Sequence, residues 1–298
     1  MKKGVQSVCV FSPAKVNLFL AVTGKRLDGF HDLVSVVAPL VFGDVVTIVR
    51  TERNGSTECL CEDSLVPNGK ENLAVKAVIA WRERSGDDQG YRIFIRKRIP
   101  VGGGLGGGSS NAVAVLKGLN FSATESLPME SLQELASSLG SDCPLFLAEG
   151  PSVIEGRGEL VEPLPENTAC RMRGRRLLLF APSFGMETKE IYSRMSSRPE
   201  WFTDKSQALE HLSLWRQGDE SLDGLIANDL ETPVFSKWPG FPVLFEELRE
   251  RLGWVCGMSG SGSCCFAVLG EEEDVKEGKK AILATWGEHC FLQETTFL

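Results

Sequence analysis

The chain has 298 residues, of which 42% are hydrophobic and 24% charged, a composition that supports a large buried core in one or two domains. Its formal net charge of -8 argues against a protein that binds nucleic acid non-specifically and favours small-molecule chemistry. The apolar run at residues 8–11 is too short for a signal peptide and no stretch could cross a bilayer, so we expect a cytoplasmic protein.

The patterns of the first 120 residues alternate between strand and helix. Segments rich in β-branched and aromatic side chains, and segments with apolar residues at helical spacing, predict strands over 5–22, 34–49 and 91–99 and helices over 71–84 and 109–119. The second strand is expected to break at Gly43 and Asp44, because this pair is typical of a turn.

The rest of the chain contains a capped helix and then a change of composition. Ser131 and Glu134 have the spacing of a capping box, and Gly140 is expected to end that helix. Residues 150–168 are polar and rich in Gly and Pro, so we expect one domain over 1–160 and another over 161–298. The second domain is predicted to contain strands over 177–181 and 264–269 and a helix over 241–252.

The nine cysteines show no zinc-site spacing. Cys59 and Cys61 form a C-x-C pair, and Cys264 and Cys265 are adjacent. We therefore expect reduced thiols, as in a cytosolic protein.

Residues 101–112 read VGGGLGGGSSNA and lie between a predicted strand and a predicted helix. Glycines let the backbone approach phosphate oxygens closely, and a helix N-terminus adds free N–H groups and partial positive charge. No lysine follows the glycines, which excludes a P-loop, and the half-polar preceding strand argues against a Rossmann fold. The H-R-D and D-F-G strings of protein kinases are absent from the sequence. A flexible linker is a weaker alternative, because linkers rarely join a strand directly to a helix.

Three strings together resemble the motifs of the GHMP kinases. They are SPAKVNLFL at 12–20, PVGGGLGGGSSNA at 100–112 and GMSGSGSCCFAV at 257–268, and NDLETPVF at 228–235 is similar to the family's C-terminal region. The resemblance implies an α+β fold of two domains, an N-terminal nucleotide-binding α/β domain and a C-terminal ferredoxin-like domain. It also implies ATP and Mg²⁺ as cofactors, without indicating the metal ligands.

The resemblance assigns the ATP phosphates to one continuous loop. Its residues are Pro100, Val101, Gly102, Gly103, Gly104, Leu105, Gly106, Gly107, Gly108, Ser109 and Ser110. At Gly107 we expect a positive φ or a close phosphate, which would make valine damaging there.

Lys15 and Asp142 match the family's catalytic lysine and catalytic base. Without the resemblance, Lys15 and Asn17 could form the solvent face of a strand, and Asp142 could close an Asx turn before Pro144. An acid that follows a helix C-terminus is electrostatically unfavourable there, which favours a functional role for Asp142.

The string GKRLDGFHDL at 24–33 resembles a branch of the family whose small alcohol substrate carries a cytidine diphosphate group. This resemblance implies that Phe30 and His31 line a cytosine pocket, with Asn17, Thr188 and Tyr192 also in the substrate site. Phe30 replaces the tyrosine that is more usual there. It could instead be a core residue beside the turn, and His31 could be structural.

Two other functions remain open from the sequence. One is a GHMP kinase for mevalonate, homoserine or a sugar, and the other is a catalytically silent nucleotide-binding regulator. We expect a small-molecule substrate and no nucleic-acid, membrane or obligate protein partner.

Overall fold

The computed structural model describes residues 6–218, 220–270 and 274–298, and the chain packs into two compact units. The first unit is formed by the described part of Met1–Ala14 with Phe42–Val101 and Gly106–Glu149. The second is formed by Lys15–Val41, Gly102–Leu105 and the described part of Gly150–Leu298. Neither unit is one continuous stretch, because two long strands and the glycine-rich segment contribute to both. The boundary near residue 160 stays a prediction.

The elements up to residue 149 are, in chain order, β1 (Ser7–Lys25), β2 (His31–Arg53), β3 (Thr57–Cys61), α1 (Leu73–Ser85), β4 (Gln89–Arg96), α2 (Gly107–Ser122) and α3 (Met129–Leu139). Within the first unit β4 pairs antiparallel with the second half of β2 and parallel with β3. The strand predicted over 91–99 corresponds to β4, in which Ile93 and Ile95 are buried whereas Arg92 and Arg96 are exposed.

Gly118 of α2 lies directly against β1 and β2 in the first unit. A Cβ at Gly118 would lie 2.6 Å from Ile48 Cδ1 and 3.1 Å from Val10 Cγ2, so only a glycine permits this approach.

α2 begins at Gly107, two residues before the predicted start. Gly107 is therefore the first helical residue and is not among the positive-φ glycines, which in this segment are Gly102, Gly104 and Gly106. The expectation that Gly107 needs a positive φ was wrong.

β2 continues without interruption through Gly43 and Asp44, and the predicted break was wrong. A Cβ at Gly43 would lie 2.3 Å from the carbonyl oxygen of Ser12. Gly43 therefore allows neighbouring backbone to approach closely. A glycine in a sequence can mark such an approach as well as a turn, and the local sequence pattern does not distinguish the two.

The predicted capping box of α3 was also wrong. The helix begins at Met129, with Pro128 at its N-cap position, so Ser131 lies inside the first turn. Ser131 Oγ accepts a hydrogen bond of 2.8 Å from Arg84 Nη2, and Glu134 pairs with the same guanidinium at 3.1 Å. Ser131 and Glu134 therefore bind Arg84 of α1 instead of capping α3.

The elements after residue 149 are β5 (Ser152–Gly156), β6 (Leu160–Pro163), α4 (Glu166–Ala169), β7 (Arg176–Ala181), α5 (Thr188–Ser196), α6 (Lys205–Gln217), α7 (Leu222–Leu225), β8 (Ala227–Asn228), α8 (Glu231–Lys237), α9 (Gly240–Leu252), β9 (Cys256–Met258), β10 (Cys265–Val268), α10 (Lys276–Trp286) and β11 (Phe291–Thr296). The first half of β2 pairs antiparallel with β5, and β1 pairs parallel with β8.

The C-terminal sheet is antiparallel with strand order β11-β7-β10-β9. In chain order, helices connect β7 to β9 and β10 to β11. The sheet therefore has the β-α-β-β-α-β pattern, and the predicted ferredoxin-like arrangement is confirmed. Phe180 packs with Phe241, Leu248 and Ile282 from α9 and α10 in the core. Among the described residues no helix is both long and apolar enough to cross a membrane.

Gly278→Ala is expected to destabilise the protein by about 1–3 kcal/mol through overpacking. A Cβ at Gly278 would lie 2.1 Å from Cη2 of Trp254, a side chain only 2% exposed. Gly240→Ala is the matched control, because it also adds a methyl group to a helix but meets nothing within 4 Å. Thermal unfolding of both variants checks this: equal melting temperatures would contradict tight packing at Gly278.

Candidate active site

The glycine-rich segment leads into the N-terminus of α2. Gly106 is the N-cap residue, with φ of +72° and no side-chain cap, and its carbonyl accepts from Ser110 N at 2.9 Å. The N–H groups of Gly107, Gly108 and Ser109 precede the intrahelical ladder, and the helix dipole adds positive potential there. This geometry suits a phosphate group.

A buried carboxylate fixes the chain on both sides of this segment. Asp44 is fully buried and accepts hydrogen bonds from Lys97 Nζ at 2.6 Å and from the backbone N–H of Ile99 at 2.9 Å. It also accepts from Asn111 Nδ2 at 2.9 Å. A buried charge requires such pairing. Asp44 therefore ties the residues just before the glycines to the second turn of α2.

The same network reaches the serines of α2. Asn111 Nδ2 donates to Ser12 Oγ at 2.8 Å, and Ser12 Oγ donates to Ser110 Oγ at 2.8 Å. Ser110 is buried and Ser109 is half-buried. Ser109 is thus the more accessible of the two hydroxyl groups at this helix end.

Asp142 lies in the turn after α3 and is half-buried. The next residue, Cys143, is fully buried, and burial raises the pKa of its thiol to about 11, while a hydrogen bond from Ser109 opposes that rise. This contact connects the first turn of α2 to the turn that carries Asp142. Ser109, in the first turn of α2, and the predicted base Asp142 therefore both adjoin Cys143 in the first unit.

Lys15 and Asn17 form a buried pair on β1. They are 5% and 4% exposed, which contradicts the alternative that they form a solvent face. Lys15 Nζ donates to Asn17 Oδ1 at 2.6 Å, and Asn17 Nδ2 donates to Ser35 Oγ at 2.9 Å. Ser35 Oγ donates in turn to the carbonyl of Phe19. This chain fixes the amide with its oxygen toward the ammonium group.

Two loops meet beside that pair in the second unit. One is Gly102–Leu105, and the other, which we call the 259–263 loop, connects β9 to β10. Ser259 Oγ donates to Gly104 O at 3.0 Å, and Cys264 N donates to Gly103 O at 3.0 Å. Lys15 N donates to Leu105 O at 3.0 Å. Residues of the 12–20 string and of the 257–268 string thus hold residues 103–105 by hydrogen bonds.

His31 is held in an aromatic cluster. Its Nε2 lies 2.7 Å from Ser196 Oγ, and its ring centroid lies 4.9 Å from that of Tyr192. Burial, and then the positive charge of Lys25, lower the pKa of His31, so the neutral imidazole is favoured.

Phe30, next to His31, is 52% exposed, which contradicts the alternative of a core residue. The guanidinium of Arg157 lies 5.0 Å from the centroid of its ring, at a distance typical of a cation–π contact. Thr188 contacts the 259–263 loop instead, where its Oγ1 lies 2.8 Å from Ser261 Oγ.

The chain is similar to known proteins over most of its length. The family models described as GHMP kinases N terminal domain and GHMP kinases C terminal match residues 72–150 and 208–288. A 4-diphosphocytidyl-2-C-methyl-D-erythritol kinase of Persephonella marina is 38% identical over 266 residues, covering 89% of this chain and 93% of the relative. The chain belongs to the GHMP kinase family.

Other comparisons extend this result. A relative of the same name from Syntrophomonas wolfei is 33% identical over 285 residues, 95% of this GHMP kinase and 96% of the relative. The crystal structure of a 4-(cytidine 5'-diphospho)-2C-methyl-D-erythritol kinase aligns with a TM-score of 0.75 and 31% identity, covering 97% of this chain and 99% of that one. A homoserine kinase from Cytophaga hutchinsonii aligns with a TM-score of 0.71 at 17% identity, covering 100% and 96%, and shows the shared fold.

The structure of this GHMP kinase brings the predicted residues together in groups. Lys15, Asn17 and Gly104 lie beside the 259–263 loop in the second unit. Asp142 and Ser109 are joined through Cys143 in the first unit. The partnership of Lys15 with Asp142 joins residues of different units and stays a prediction, as do the catalytic, nucleotide and substrate roles of all these residues.

Several residues that organise the site were not predicted from the sequence. Asp44 was interpreted as a strand break, and Ser35 is one small residue in an apolar strand. Ser259 lies in the string at 257–268, and the family resemblance assigned no role to individual side chains of that string. Only their positions next to residues distant in sequence reveal what they do.

Proposed function

We propose that this GHMP kinase transfers the γ-phosphoryl group of ATP to the 2-hydroxyl of 4-diphosphocytidyl-2-C-methyl-D-erythritol. This step belongs to the non-mevalonate synthesis of isoprenoid precursors, as the resemblance to these kinases implies. Relatives with that name, 33–38% identical over most of the chain, support the proposal.

The observation that carries the proposal is the cluster around His31. A neutral imidazole can both donate and accept a hydrogen bond, as recognition of a cytosine edge requires. Tyr192 packs beside it, and the exposed ring of Phe30 offers a stacking surface. A substrate without a nucleobase has no use for such a set of side chains.

The residues at the start of α2 fit a nucleotide triphosphate. Gly106 caps the helix without a side chain, and the amides of the first turn supply hydrogen-bond donors to anionic oxygens. Mg²⁺ is proposed as the second cofactor, which when bound would neutralise phosphate charge. The hydroxyl groups of Ser109 and Ser110 are the candidate protein oxygens near it, and Ser109 is the more accessible.

Asp142 is proposed to accept the proton of the substrate hydroxyl as general base. Lys15 would favour the ionised carboxylate and the developing alkoxide, because a nearby positive charge stabilises both anions. Asn17 holds the Lys15 ammonium in place through the 2.6 Å hydrogen bond. Phosphoryl transfer needs positioning and electrostatic stabilisation more than covalent help, and these residues supply both.

A coupled ADP-release assay tests the function. We expect turnover with the cytidine substrate and little with mevalonate, homoserine or galactose. Preference for one of those alcohols would favour the alternative of another GHMP kinase, and no ADP release with any of them would favour a silent nucleotide-binding protein. Cytoplasmic localisation stays a prediction, and a relative from Mentha piperita is named as chloroplastic.

Phe30→Ala is expected to raise the KM for the cytidine substrate about tenfold or more, because stacking of a base on an aromatic ring contributes roughly 1–3 kcal/mol. The KM for ATP should stay unchanged, and so should the melting temperature, since the ring is 52% exposed. Phe30→Tyr is the control and should be close to neutral, because it retains the ring. A joint rise of both KM values with a lower melting temperature would contradict the stacking role.

A further inference from the structure

The segment that follows β8 contacts two regions of the second unit. β8 pairs with β1, with Asn228 opposite Leu20. Asp229 accepts from Val22 N at 2.8 Å and from Thr203 Oγ1 at 2.9 Å, which attaches the segment to β1 and to the chain before α6. The segment therefore has a fixed position relative to the strand that carries Lys15.

The side chain of Asn228 attaches the 259–263 loop to this fixed segment. Its Nδ2 donates to Met258 O at 2.7 Å and to Gly260 O at 2.8 Å, and its Oδ1 accepts from Leu230 N at 2.9 Å. Asn228 is 7% exposed, so its bonds are little weakened by water. One amide thus binds a carbonyl at the end of β9 and a carbonyl of the loop.

Glu231 adds a second connection at the same loop. Its Oε1 accepts from Met258 N at 2.8 Å. The pKa of this carboxyl is raised to about 7: burial raises it most, the Met258 hydrogen bond opposes the rise, and the nearby Asp229 adds to it. Asn228 and Glu231 together therefore bind both backbone polar groups of Met258, the last residue of β9 before the loop.

The loop in turn lies against the Lys15–Asn17 pair. A Cβ at Gly260 would lie 3.4 Å from Lys15 Nζ and 3.5 Å from Asn17 Oδ1, so the backbone at this residue adjoins both side chains. Ser259 Oγ lies 3.3 Å from Asn17 N, from which it accepts. A displacement of the loop would change the surroundings of the Lys15 ammonium directly.

We infer that Asn228 is a positioning residue for phosphoryl transfer, which holds the 259–263 loop against the Lys15–Asn17 pair. This inference rests on the proposed function. Without the amide, the carbonyls of Met258 and Gly260 lose their shared donor and the loop is free to move away from Lys15. His31 contacts Tyr192 and Ser196 rather than the 259–263 loop, so we expect binding of the cytidine group to depend little on Asn228.

The test compares Asn228→Ala and Asn228→Asp with the natural protein. Both should lower kcat by about 10- to 100-fold, the cost of a small misplacement at a catalytic centre. The KM for the cytidine substrate should stay within about twofold. The aspartate variant keeps the size of the side chain and the acceptor for Leu230 N, and so provides a folded variant if the alanine variant does not fold.

Thr203→Val is the matched control. It removes a hydrogen bond to Asp229, the adjacent residue, without touching the loop, and its kcat should stay near that of the natural protein. The inference is overturned if both Asn228 variants keep their kcat, or if kcat falls equally in the control in parallel with melting temperature. A natural protein that is inactive on the cytidine substrate would refute the proposed function instead, and the comparison would then use whichever alcohol it phosphorylates.

Discussion

Asp142→Asn is expected to bind ATP almost normally and to lose about 10²- to 10⁴-fold in kcat, the usual cost of removing a general base. The change replaces a carboxylate oxygen by an amide that cannot accept the hydroxyl proton, while the size of the side chain is kept. Asp142 directly precedes the buried Cys143, which contacts Ser109 in the first turn of α2. The measurement is steady-state kinetics with both substrates, together with ATP binding by calorimetry.

Asp63→Asn is the matched control for the lost charge. Asp63 is also a half-buried turn aspartate of the first unit, where it accepts from Leu65 N at 2.9 Å. Its substitution should leave kcat unchanged. An Asp142→Asn variant that kept more than about half of its kcat would refute the general-base role.

Gly104→Ala is expected to lower kcat/KM for ATP by about 100-fold, because a small displacement at such a site has effects of this order. The added Cβ would lie 2.2 Å from the carbonyl oxygen of Ser259, a backbone atom that cannot move without the 259–263 loop. The variant would therefore separate the central glycines from the loop that adjoins Lys15. Kinetics for both substrates and thermal unfolding measure the result.

Gly102→Ala separates this clash from simple backbone strain. Gly102 and Gly104 have φ of +72° and +76°, so alanine costs a comparable 1–3 kcal/mol or so of strain at either position. At Gly102, however, a Cβ meets nothing within 4 Å. Gly102→Ala should therefore retain much more activity. Equal losses in the two variants would assign the effect to strain and contradict a role for the contact with Ser259.

Local sequence patterns predicted the elements whose signals are internal to the element. The strands β4, β7 and β10 and the helix α9 were predicted within a few residues, because side-chain periodicity reflects which face is buried. Predictions based on a few polar or glycine residues failed more often. The capping box at Ser131 and the break at Gly43 were wrong because Arg84 and Ser12, distant in sequence, determine what those residues do.

The sequence by itself determined the family and the two glycine loops, since these depend on residue types at fixed spacings, and the catalytic roles of Lys15 and Asp142 stay predictions from the family resemblance. Tertiary structure decided that Lys15 and Asn17 are buried and that Asn228 binds the 259–263 loop. It also decided that Asp44 accepts hydrogen bonds from residues on both sides of the glycine segment. A hydrogen bond between residues far apart in the chain leaves no periodic signal. It exists only when packing of the hydrophobic elements brings its donor within about 3 Å of its acceptor.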